Sequence, residues 1–328
     1  MVFCSIAIAH SQSPFTLLRT IPLHGVTGKF DHFAVDTANG RLFAAATGNH
    51  SVEVFDLKTD RIQQSIAGLG KPHGLVWEAE TGSLYVADGA LGELRLYKGS
   101  PLALAGTIKL SEDADDMVND EAHHLLFVGH GGTDASHPAR VAIVDTTRFV
   151  LVANLPVASH PEALDIDQAR AQVFVNVAES NEVAVIGATS KTVEMHWKLA
   201  DAQDNVPMAY DSQDRLLFIA CRKPGVLIAL DAATGKEVAR QTTTAGADDL
   251  FFDSDLRRVY VIGGAGEVDS YQLEKNKSLL SLGKIVTTPG AKTGLFVQSQ
   301  HTLYVGMPSL GDKPAEIRIY TAVGEETK

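Results

Sequence analysis

The chain of 328 residues carries a net charge of −12 and is 45% hydrophobic and 21% charged. An acidic balance of this kind leaves no concentrated basic surface for nucleic acid, which is not expected as a partner. No stretch is apolar over the roughly 20 residues that a membrane-spanning helix needs, and two cysteines, Cys4 and Cys221, supply neither a disulfide framework nor a cysteine-based zinc or haem motif.

The N-terminus opens on a short apolar run, Val2 to Ala9, followed by His10-Ser11-Gln12-Ser13. Small residues after an apolar run resemble the end of a secretory signal, although the basic segment that usually precedes one is missing. The reading is a truncated leader over residues 1–13, cleavage near Ala9–Ser13, export to the periplasm or exterior, and one folded domain over residues 14–328.

Beyond the leader, Phe15 to Leu23 reads as a strand, and then a repeat begins. Phe33-Ala34-Val35-Asp36 is an apolar strand ending in Asp. Asn39-Gly40 supplies a hairpin turn, and Leu42 to Ala46 forms a second strand. Val52 to Asp56 alternates as a third strand should, and Ile62 to Ile66 gives a fourth. The same plan recurs around the aliphatic–aromatic pairs Leu42-Phe43, Leu84-Tyr85, Leu126-Phe127, Val173-Phe174, Leu217-Phe218, Val259-Tyr260 and Leu303-Tyr304, spaced by 42, 42, 47, 44, 42 and 44 residues. A strand-rich period of this length predicts an all-β, seven-bladed β-propeller of four-stranded antiparallel blades. Only eight residues follow the last third strand, so Phe15 to Leu23 is expected to complete the seventh blade and close the ring without an exposed sheet edge.

The second strands Phe174-Val175-Asn176-Val177, Tyr85-Val86-Ala87-Asp88 and Tyr260-Val261-Ile262-Gly263 resemble the Tyr-Val-Thr-Asn repeat of the YVTN or YncE-like propellers, with Asn176 the one asparagine among them. That resemblance spans nearly the whole chain. It implies a seven-bladed, secreted or periplasmic protein and leaves the activity open.

The repeat fixes a common register. Seven positions before each aromatic stand Asp36, Glu78, Asp120, Asp167, Asp211, Asp253 and Val297. Five positions further upstream stand Asp31, His73, Asp115, Glu162, Val206, Asp248 and Lys292, and the next position adds His32, Asp116 and Asp249. These residues lead into the innermost strands and should ring the axial mouth on the upper face. Carboxylates converging at short range need a cation, a proton or a lysine to compensate them. Imidazole and carboxylate donors together suit a hard or borderline divalent ion.

His73, Asp115, Glu162 and Asp248 are therefore the candidate metal ligands. Asp31 and His32 are expected beside them, with Lys292 as counter-charge. Of Asp115-Asp116 and of Asp248-Asp249, only one member each is expected to face the axis, because neighbours on a strand point to opposite faces. A long glycine-rich loop, Gly129 to Pro138, is expected to bring His130 and His137 over Asp115 and Asp116.

No nucleophile elbow, Walker loop or dinucleotide fingerprint is present. Three functions fit: a binding module for a small polar ligand or divalent metal, a metal-dependent hydrolase or lactonase of gluconolactonase-like layout, or a scaffold that holds a protein partner on its rim.

Overall fold

The computed structural model describes residues 13–324, so Cys4 and all of the expected leader except Ser13 lie outside the described residues. Seven four-stranded antiparallel sheets form the seven blades. In blade 1 the strands run from the axis outwards as Phe33–Asp36, Arg41–Ala46, Ser51–Asp56 and Arg61–Ile66. Blades 2 to 6 repeat this over residues 72–109, 117–156, 161–198, 203–242 and 247–286. Blade 7 takes its three inner strands from residues 294–322, and its outer strand is Phe15–Leu23, antiparallel to Ala315–Ala322. The innermost strand of blade 7 also touches that of blade 1, which closes the ring. Among the described residues no helix is long and apolar enough to cross a membrane.

The aliphatic–aromatic pairs explain how the ring holds together. Neighbouring residues on a strand face opposite sides of the sheet, so each pair serves two inter-blade cores. Phe43 packs with Leu84 between blades 1 and 2, and Tyr85 packs with Leu126 between blades 2 and 3. The chain of pairs continues around the axis until Tyr304 meets Leu42. Large apolar side chains buried on both faces are worth about 1.5–3 kcal/mol each, so every blade depends on both neighbours.

In blades 1, 5 and 6 the acidic residue that ends the innermost strand is a turn cap. Asp36, Asp211 and Asp253 accept backbone N–H groups from Asn39, Gln213 and Leu256 in the hairpins that follow. This is how carboxylates commonly stabilise tight turns, and it takes that recurrent Asp out of the candidate chemistry. Cys221 lies buried and unpaired in the second strand of blade 5, Leu216–Lys223, where it behaves as a small apolar side chain.

Candidate functional site

At the upper end of the axis the segments leading into the innermost strands enclose a cavity of about 170 Å³. Asp31, His32, His73, Asp115, Glu162, Asp248 and Lys292 all line it, together with Lys29, Asp116 and Arg222. Seven of the nine residues singled out from the sequence are thus brought together, because equivalent positions in a closed ring of blades converge on one axis.

Asp115 is the hub. One of its oxygens lies 3.4 Å from Nδ1 of His73, and the other lies 3.6 Å from Nε2 of His160. His73 Nδ1 also sits 2.6 Å from Asp31 Oδ2. Two groups of candidate ligands share Asp115: Asp31 with His73, and His160 with Glu162; within each group the donor atoms lie no more than 4.8 Å apart. Asp248 falls outside both groups. It is held by Arg222 and Lys292, which also fixes those two cations on the far wall.

Five carboxylates line the cavity, against three permanent cations, Lys29, Arg222 and Lys292. Two of those cations are committed to Asp248. The remaining balance falls to the imidazoles, or to an ion in their place. Burial works against a charged imidazole, yet the hydrogen bond it donates to Asp115 and the charge of Glu162 raise His160 to about 9. Burial likewise opposes charge on His73 and His32, while Asp115 and Asp31 raise the first and Asp116 and Asp249 raise the second. Asp31 and Asp115 are held below the ordinary carboxylate value despite burial, chiefly by the imidazoles beside them. Burial and the charge of Asp115 push Glu162 up, and burial pushes Asp116 to about 6.

Several placements differ from expectation. His130 and His137 do not line the cavity. His130 ends the second strand of blade 3, Leu125–His130, where it is buried, accepts from the Ser111 N–H and pairs with Asn154. Burial holds its imidazole below the ordinary value. His137 pairs with Asp134 at the tip of its own loop. The loop acts through its backbone instead, because the Gly131 carbonyl accepts a hydrogen bond from His160 Nδ1 at 2.6 Å. Gly132, at φ 92°, stands against His160 so closely that a Cβ there would collide with it.

Both Asp115 and Asp116 face the cavity, since they precede the regular strand Met117–Asp120 and escape its alternation. A register shift between Ala247 and Asp249 separates Asp248, in the upper cavity, from Asp249, which lines the channel beneath.

Three residues were missed. Lys29 and His160 occupy the same register two positions upstream of the first ring, so a longer reading of that register contains them. Arg222 stands four residues after the aromatic of blade 5, where the other blades carry Thr47, Gly89, Gly131, Ala178, Gly264 and Pro308; the one long cation in that series is the signal.

No protein-family model and no curated protein sequence matches the chain. Solved structures do. Kuenenia stuttgartiensis hydrazine synthase superposes with a TM-score of 0.76 at 14% identity, over 86% of this chain and 93% of that one. The U3-55K structure gives 0.75 at 13% identity over 92% and 97%, and a chain of the Mitotic Checkpoint Complex gives 0.77 at 13% identity over 99% and 97%. At such identities these likenesses establish the fold alone.

Proposed function

We propose that this propeller is a binding protein whose upper axial cavity holds one divalent cation, with Asp115, His160 and Glu162 as central ligands and Asp31 and His73 completing the set. The observation that carries this reading is the attitude of His160. Its Nδ1 is fixed on the Gly131 carbonyl at 2.6 Å, so a neutral ring presents the Nε2 lone pair to Asp115 at 3.6 Å. An imidazole oriented through its other nitrogen onto a carbonyl is how proteins aim histidine at metals. Donor separations of this size suit ligands that share an ion at about 2.0–2.2 Å.

The mixed oxygen and nitrogen set favours a borderline ion such as Zn²⁺ or Mn²⁺ over Ca²⁺. Elemental analysis after mild purification, followed by thermal shift with Ca²⁺, Zn²⁺, Mn²⁺ and Cu²⁺, tests the proposal. A bound or stabilising ion is expected. Absence of both leaves the cavity an imidazolium–carboxylate network. Turnover on a panel of lactones would convert the binder into a metal-dependent hydrolase.

A second reading, a scaffold for a protein partner, is favoured by the rim. In the outer strand of blade 3, Val150–Pro156, the side chains of Val150, Leu151 and Val152 are all exposed on an edge that no further strand among the described residues covers. Unpaired apolar edges recruit strands from other chains. Replacing all three with Lys should abolish co-purification of a partner and leave cation binding unchanged; unchanged co-purification would remove this reading.

We also infer a divergent YVTN/YncE-like propeller that is exported. Mass spectrometry of the protein from its native host should find the N-terminus near Ala9–Ser13, whereas an intact Met1 in the cytosolic fraction would contradict export.

A further inference from the structure

Beneath the cation site the channel widens into a second cavity of about 330 Å³, within the ~300–1,000 Å³ range of small-molecule sites. His32, Asp116 and Ala163 line both cavities and form the partition between them. The lower chamber differs in character. Blades 5 to 7 contribute an aromatic wall of Tyr210, Phe251, Phe252 and Phe296, each half-buried and open to the channel. The other side carries Asp116 and Asp165, with Asp249 beside His32 at the ceiling.

These carboxylates are rigidly placed. Asp116 accepts the Leu164 N–H at 3.0 Å, Asp165 the Tyr210 N–H at 2.7 Å and Asp249 the Gly294 N–H at 2.6 Å, each across a blade boundary. A carboxylate oxygen has two lone pairs, so these bonds leave acceptor capacity free. Among the described residues no Lys or Arg lines the chamber. The one cationic group among the described residues that line it is His32, already shared among Asp31, Asp116 and Asp249. Burial raises the Asp165 carboxyl to about 6, with the charge of Asp116 adding to it.

We propose that this lower cavity is a binding site for a small organic ammonium compound, its charged head beside Asp116 and Asp165 and its apolar body against the aromatic wall of blades 5 to 7. Aromatic faces attract a cation as well as hydrocarbon. A neutral apolar ligand would strip water from the carboxylates and return nothing to them, and an anion would be repelled. An inorganic ion would leave the aromatic wall unused. The site is independent of the cation site above it, because none of the proposed metal ligands faces the lower chamber.

Calorimetric titration at pH 7.5 with benzylammonium, benzyl alcohol and benzoate tests this directly. Benzylammonium is expected to bind at least tenfold more tightly than benzyl alcohol, and benzoate not at all. Asp165→Asn should weaken benzylammonium at least tenfold. Since that change also touches an inter-blade hydrogen bond, Phe251→Leu serves as the second variant, with an expected loss of about fivefold and a native melting temperature. Asp115→Asn, which cripples the proposed metal site and changes the charge next to Asp116, should alter benzylammonium binding by less than about threefold, and a tenfold loss there would overturn the independence of the two sites. Equal affinity for the amine and the alcohol, no binding of any of the three compounds, or binding that neither lower-cavity variant weakens would overturn the proposal.

Discussion

His160 is fixed through one nitrogen and surrounded by negative charge at the other, which makes it the most informative single residue. His160→Gln is expected to weaken divalent-cation binding about 100-fold, the scale on which orienting and ligating groups act, with little change in melting temperature; calorimetry and circular dichroism on the same sample check both. Its titration gives a second expectation. A base whose folded value is raised contributes stability that is fully present below its ordinary value near 6.5 and lost as pH rises through about 9. His32 and His73 shift in the same direction.

The melting temperature of metal-free protein should therefore fall between pH 6.5 and 9. The slope should flatten or reverse with saturating metal, because the neutral imidazole is the ligand; parallel curves with and without metal would argue against ligation. At this scale the sequence displayed most of the cavity, since Asp31, His32, His73, Asp115, Glu162, Asp248 and Lys292 share one register. It did not display the roles of Asp248 and the loop histidines. Those depend on which neighbour reaches them: Arg222 from an adjacent blade for Asp248, and Ser111 and Asn154 for His130.

Between neighbouring strands, the decisive contacts are polar ties across blade boundaries. Asn176 is fully buried, donates to the carbonyls of Val206 and Pro207, and accepts from the Asn205 side chain. Asn176→Ala would remove this donor from the Val206 and Pro207 carbonyls and the acceptor from one Asn205 N–H, while the Asn205 amide keeps the Glu182 carbonyl, at about 1–3 kcal/mol for each group so stranded. A loss of roughly 2–3 kcal/mol in urea unfolding is expected, and a change below about 0.5 kcal/mol would show that the tie is dispensable. Strand positions were legible because period-two alternation and Asn-Gly turns are local signals. The irregular entry that leaves both Asp115 and Asp116 on the axis, and the register shift that parts Asp248 from Asp249, were not, because they arise from packing between blades.

Across the whole molecule, closure depends on a strand from the opposite end of the chain. Phe15–Leu23 buries Phe15, Ile21 and Leu23 against blade 7. Deleting residues 1–24 should cost roughly 5–9 kcal/mol, on about 1.5–3 kcal/mol for each of those side chains, and melt the ring as a unit; an unchanged melting temperature would contradict closure. The sevenfold period, the closing strand and the axial convergence were all readable from spacing, because a propeller is a repeat bent into a circle. The division of the channel into a charged upper chamber and an aromatic lower one was less so, since it depends on which inner-strand side chains turn towards the axis.

The central claim, one divalent cation on the axis, is tested most directly by titrating metal-free protein with Zn²⁺ and Mn²⁺ in a calorimeter at pH 6.5 and at pH 8.5. One site per chain is expected, with affinity about tenfold weaker for each pH unit lowered below 9 per proton displaced from His160. No binding heat at either pH, or binding with the same affinity in His160→Gln protein, would contradict it.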